Sequence, residues 1–197
     1  MPDWTSLSYV VVDVEGNGQQ PPDLVELAVV PIVGGVIGSP SSWLVRPDTP
    51  ITPLARRIHG ITNEHVANAQ VFADIRAEVL CALKGAVLVA LNAHVDVGVL
   101  QRKLGDWKCP GVFDTLKLAR RLLPGQASCR LGSLTTAFKL ADGLPDDLTP
   151  HRATYDAIVT ARLFVRLATL RTAGPVSVEE LRGQEMRGGE DETPPLF

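Results

Sequence analysis

Leu7-Ser8-Tyr9-Val10-Val11-Val12-Asp13-Val14-Glu15-Gly16-Asn17-Gly18 begins as an apolar run and ends on two carboxylates and a glycine-flanked turn. Residues 7–14 are rich in valine and carry Tyr9, the composition of a central strand buried on both faces. Strand residues two apart share a face, about 6.5–7 Å from one another along the chain. Asp13 and Glu15 therefore project together while Val12 and Val14 pack behind them. Acids at the end of an apolar strand cost desolvation free energy unless they are paired or bind a metal.

Two further segments carry the same kind of chemistry. Asp96 lies in Leu91-Asn92-Ala93-His94-Val95-Asp96, and His151 and Asp156 lie in His151-Arg152-Ala153-Thr154-Tyr155-Asp156. Each has an ordinary explanation when taken alone. A strand end can be solvated, Asn92 is a common turn residue, and a first-turn aspartate is favoured by the helix dipole. Residues five apart on a continuous helix point about 140° from one another. Pro150 instead places His151 on the loop leading into the helix, with Asp156 a turn inside. A loop histidine can swing toward a metal-held water and act as a general base. Four carboxylates brought to one cleft repel one another unless cations lie between them. Hard divalent ions with oxygen ligands, Mg²⁺ or Mn²⁺, meet that need and suit metal-assisted phosphoryl chemistry.

Composition sets the limits. At 197 residues the chain fits one domain and a tail, with 45% hydrophobic and 21% charged residues. A net charge of −3 argues against coating nucleic acid by bulk charge, although bound divalent ions would reverse the sign of an acidic cleft locally. Cys81, Cys109 and Cys129 show no C-x-x-C spacing, which fits inert thiols in a reducing compartment rather than a zinc site. The N-terminus has no signal-peptide pattern, and no apolar run approaches the ~20 residues of a membrane span. A cytoplasmic protein without membrane contact is expected.

Outward from the first strand, residues 24–33 predict a second strand, Gly34-Gly35 a hairpin turn, and residues 36–45 its return. Pro47, Pro50 and Pro53 open a loop with a short helical turn at 54–58. Apolar spacing predicts helices over 72–83, 95–104, 132–140 and 153–170, and strands at 87–91 and 112–113. Asp114 is placed to cap a further helix reaching residue 123. Three antiparallel strands followed by alternating helices and strands give a mixed, five-stranded, ribonuclease H-like α/β sheet flanked by helices. The expected domain spans residues 1–172, and residues 173–197 read as a disordered acidic tail.

The ordered set of Asp13, Glu15, Asp96, His151 and Asp156 resembles the DEDDh family of 3′–5′ exonucleases, most of all its proofreading-subunit branch. The likeness runs over residues 8–170. It includes Ile58-His59-Gly60-Ile61-Thr62, Phe113-Asp114-Thr115-Leu116-Lys117-Leu118-Ala119-Arg120 and Leu131-Gly132-Ser133-Leu134. By that resemblance Asp13, Glu15 and Asp156 would hold the catalytic metal, with Asp13 also touching a second ion. Asp96 would act on the metals through water, and His151 would take the proton from the attacking water. The reaction implied is hydrolysis of the terminal phosphodiester at single-stranded 3′ ends, DNA above all, releasing nucleoside 5′-monophosphates with two Mg²⁺ or Mn²⁺ ions.

The sequence departs from the family where Gly16 and Asn17 replace the usual threonine pair, and at Leu91 and Val95, where histidine and phenylalanine are usual. These changes bear on substrate preference rather than on the chemistry. Gly16, Asn17, Gly18, His59 and Asn92 are the expected substrate contacts, and Arg56, Arg57, Arg120, Arg121 and Arg130 could meet phosphates. An exoribonuclease, a hydrolase of very short oligonucleotides, and a non-catalytic nucleic-acid-binding module are the alternatives. The terminal Glu192-Thr193-Pro194-Pro195-Leu196-Phe197 resembles the short Leu-Phe peptides that bind a sliding clamp, so a polymerase or clamp partner is a further expectation.

Overall fold

A computed structural model describes residues 3–170 and 177–182. After a 3₁₀ turn at Trp4–Ser6, the strands and helices follow in the order β1 (Ser8–Gly16), β2 (Leu24–Val33), β3 (Val36–Ile37), β4 (Ser41–Leu44), α1 (Pro53–His59), α2 (Asn63–Val66) and α3 (Phe72–Leu83). Then come β5 (Val87–Ala90), α4 (His94–Leu104), β6 (Val112–Asp114), α5 (Thr115–Leu122), α6 (Leu131–Phe138), α7 (Ala153–Ala168) and α8 (Val178–Arg182).

The sheet order is β3-β2-β1-β5-β6, with β4 also on β2. β1 pairs antiparallel with β2 and parallel with β5, and β5 pairs parallel with β6. The mixed ribonuclease H-like sheet expected from the sequence is present with six strands rather than five. Gly38-Ser39-Pro40 interrupts the return strand and divides it into β3 and β4, because proline cannot donate to a strand ladder.

Alternation along β1 divides its side chains between two cores. Tyr9 and Val11 join Phe113, Phe164 and the buried face of α7 on one side. Val10 and Val12 join Ile75, Val79 and Leu100 of α3 and α4 on the other. Asp13 and Glu15 continue the first row, so they leave the core on the α7 side. Tyr9 anchors that core: its ring lies 4.9 Å from Phe164, centroid to centroid, and its hydroxyl donates to the Trp4 carbonyl at 2.7 Å.

Chain ends and turns follow local chemistry. Thr52 caps α1 through the Ala55 amide, and Gly60 closes that helix at a φ of 74°, where L side chains are strained. Asp114 caps α5, accepting from the Leu116 and Lys117 amides, as expected. Part of the expected tail is ordered. Val178–Arg182 form α8, whose Val178 and Leu181 are buried in the α7-side core, because two apolar residues three apart give even a short helix one face to bury. The other tail residues, including the clamp-like terminus, lie outside the described residues.

Phe164 is fully buried against three other aromatic rings, those of Trp4, Tyr9 and Phe113. Phe164→Ala should lower unfolding free energy by about 3–5 kcal/mol, read as a shifted urea midpoint. A loss below about 1 kcal/mol would mean the aromatic cluster does not hold α7 to the sheet.

Candidate active site

β1, α4 and α7 each deliver acids to one place. Asp13, Glu15 and Asp156 bring carboxylate oxygens within 4.8 Å of one another, the spacing of a shared cation site. Asp96, in the first turn of α4 and 5% exposed, accepts the Val14 amide at 3.1 Å. It thereby ties α4 to the acidic end of β1. His151 is exposed just before α7 and has a φ of 61°, an uncommon conformation that histidine tolerates better than most residues. A cleft of about 1040 Å³ runs past Asp13, Asn92, His151 and Asp156, with Arg120 and Arg130 among its walls.

Burial and crowding govern the charges. Desolvation pushes the Asp13 carboxyl well above its ordinary range, and repulsion from Asp96, Asp156, Glu15 and Glu26 adds to it. Glu15 is pushed up to about 8 by desolvation and by Asp156, Glu26 and Asp96, with Arg152 opposing. Desolvation carries Asp96 to about 7 against backbone hydrogen bonds. Asp156 rises to about 6 for the same reason, while His151 pulls it down through its charge and its backbone amide. An all-oxygen donor set that resists ionisation by itself is chemically matched to a hard divalent cation.

Glu26 and Arg152 are site residues beyond the expected set. Glu26 stands opposite Glu15 in the β1–β2 register. Its carboxylate receives Arg152 Nε at 3.0 Å and Nη2 at 2.6 Å, and the Ala153 amide at 2.9 Å. A β2 side chain thus caps α7, the helix that carries Asp156. The sequence signal is a lone glutamate inside Leu24-Val25-Glu26-Leu27-Ala28-Val29, since a charge in a buried strand needs a partner. Its partner, 126 residues away, has no local signature.

The expected substrate contacts divide. The side chain of Asn17 is fully buried, with Nδ2 donating to the Thr49 carbonyl and hydroxyl and Oδ1 accepting the Gln19 and Asp23 amides. It organises the turn rather than reaching into the cleft. His59 is also buried. Ile61 donates its amide to Nδ1, which leaves the proton on Nε2 for the Gly16 carbonyl at 3.2 Å. Desolvation lowers the His59 pKa and keeps the ring neutral. Gly18 has a φ of 80° and stands so close to Thr52 that a Cβ would collide with its hydroxyl. Asn92, at a φ of 61°, borders the cleft and donates its amide to Asp114. Arg121 turns instead to the carbonyls of Glu180 and Leu181, and Arg56 and Arg57 line a separate depression with Thr62 and Glu64.

Residues 10–164 match the profile of the family described as Exonuclease. The chain belongs to that family. It is 38% identical over 164 residues to exodeoxyribonuclease 10 of Escherichia coli (strain K12), covering 83% of this chain and 69% of that one. It is 32% identical over 182 residues to the 3′-5′ exonuclease DinG of Bacillus subtilis (strain 168), covering 88% of this chain but only 19% of DinG. Among solved structures, exonuclease X in complex with 5′ overhanging duplex DNA superposes with a TM-score of 0.71 at 34% identity, covering 89% of this chain and 99% of that one. The fold, the family and the enzyme class are those of an exonuclease. Among the described residues no helix is long and apolar enough to cross a membrane.

The raised carboxyl pKa values fix a sign. Each folded-state value lies above the ordinary one, so the folded apoprotein holds protons that the unfolded chain releases. Stability from these groups is therefore fully present near pH 4 and lost as pH rises through about 6–8. In EDTA, the melting temperature should fall between about pH 5 and pH 8, and Asp13→Asn should melt higher than wild type at pH 8. Equal melting of the two at pH 8 would contradict mutual repulsion at the site.

Proposed function

We propose that the protein is a metal-dependent 3′–5′ exonuclease that removes nucleotides from single-stranded DNA ends as nucleoside 5′-monophosphates. The observation that carries this reading is the convergence of Asp13, Glu15 and Asp156, two of which line one cleft with His151. DNA is favoured by exodeoxyribonuclease 10 and by the duplex DNA bound to exonuclease X. The direction is favoured by the DinG name.

Asp13, Glu15 and Asp156 would hold Mg²⁺ or Mn²⁺, with the Asp96 carboxylate adding negative charge beside them. Bound there, divalent ions supply acidification of water and stabilisation of charge on the phosphate and leaving oxygen. The residues contribute the remaining steps. His151, on the loop before α7, would take a proton as the water oxygen bonds to phosphorus and the P–O3′ bond breaks, the O3′ oxygen staying on the shortened strand and taking a proton from solvent. The Glu26–Arg152 pair keeps the start of α7 in place, so that His151 and Asp156 approach β1 together. The turn at Gly16 and Gly18, held from beneath by His59 and Asn17, presents backbone to the terminal nucleotide, and Asn92 borders its path.

A digestion panel of end-labelled DNA and RNA strands, with Mg²⁺, Mn²⁺ or EDTA, tests the reading. Stepwise loss of nucleotides from DNA 3′ ends with either metal, and none in EDTA, is expected. Faster loss from RNA would replace the DNA assignment, and loss from 5′ ends would reverse the direction. Asp13→Asn should be inactive while folded.

His151→Ala should lower turnover by about 10²–10⁴-fold with metal affinity retained. Unchanged turnover in the variant would make His151 a bystander.

A further inference from the structure

A second cavity, of about 570 Å³, lies beside the acidic cleft and shares Asn92 with it. α5 forms the divide. Leu116 and Arg120 line the acidic cleft, whereas Lys117, Leu118 and Arg121 line the second cavity. On a helix, positions 117, 120 and 121 fall within an arc of about 100°, so the three cations form one continuous strip over that divide. Across the cavity, α8 contributes Leu181 and Arg182, and the start of α4 contributes His94.

The charge of this cavity is opposite to that of the chain. Lys117, Arg121 and Arg182 line it, and none of them forms an ion pair with another described residue. Asp114 also borders the cavity, but its carboxylate already accepts the Asn92, Leu116 and Lys117 amides. The Arg121 guanidinium is fixed by the carbonyls of Glu180 and Leu181 at 3.0 and 2.6 Å, so its charge is held in place without being neutralised by an acid. Val97, Phe113 and the 45%-exposed Val112 on the edge strand provide apolar wall.

We propose that this cavity binds the phosphodiester backbone of the substrate, away from the 3′ end lodged in the acidic cleft. The inference rests on the exonuclease reading and extends it to substrate length. A chain with a net charge of −3 needs a local cationic tract to hold a polyanion. Lys117 and Arg120, on one face of α5, border this tract and the acidic cleft respectively, so one strand would cross from one to the other, a path that a small anion does not need.

The test compares a trinucleotide with a strand of about twenty nucleotides, using wild type and the double variant Lys117→Ala/Arg182→Ala. Arg121 is left intact because it braces α8. For the long strand KM should rise about tenfold with kcat unchanged, and the salt dependence of binding should weaken by about 1.4 in slope for two lost contacts. Trinucleotide cleavage should not change, and neither should either substrate with Lys84→Ala, a charge removed from the end of α3.

Equal effects on both lengths, or no effect on either, would overturn the inference. So would loss of the wild type's long-strand advantage to inorganic phosphate at concentrations that spare trinucleotide cleavage, which would mark a small-anion site. If the wild type cleaved no strand, the exonuclease reading would fail by itself. Binding of the long strand in EDTA, weakened or not by the double variant, would still decide whether this cavity holds nucleic acid.

Discussion

The buried Glu26 carboxylate, clasped by Arg152 and the Ala153 amide, fixes where the last long helix meets the central strand. The other parts of the site depend on that contact. Hydrophobic packing of α7 on β1 and β2 is strong but weakly directional, so it alone would tolerate sliding by a fraction of a turn. The fork of hydrogen bonds between Glu26 and Arg152 does not. Such pairs add little net stability once desolvation is counted, and their best-attested use is to select one arrangement among several. Here the selected arrangement brings Asp156 within cation-sharing distance of Asp13 and Glu15.

The same contact supplies a fifth carboxylate to an already crowded region. Glu26 raises the pKa values of Asp13 and Glu15, while Arg152 lowers that of Glu15. Positioning and electrostatics are therefore coupled at one place. The scaffold keeps its own acid neutralised by an arginine and leaves Asp13, Glu15 and Asp156 to be neutralised by something else. That division between one acid paired with an arginine and three without such a partner is what a divalent-cation site requires.

Legibility from sequence followed the range of the interactions. The alternation from Tyr9 to Glu15 is local, and the structure keeps it: one row lies in the α7-side core and ends in the acids. The Asp114 cap and the bounds of α3 are equally local, and both match expectation closely. The broken return strand shows how proline limits a pattern that looks continuous. Glu26 with Arg152, and α8 with its buried Leu181, depend on contacts between distant segments, which periodicity cannot display. His59 and Asn17 are instructive for the opposite reason. The sequence marked them as important, but their side chains hold the turn from beneath, so the motif reflects loop architecture as much as substrate contact.

The claim on which the account turns is that three acids from β1 and α7 form one cation site. A crystal soaked in Mn²⁺ and measured at the manganese absorption edge addresses it directly. An anomalous peak bonded to oxygens of Asp13, Glu15 and Asp156 is expected, absent from Asp156→Asn crystals grown and soaked in the same way. Manganese bound only elsewhere, or the same peak persisting in the variant, would contradict it.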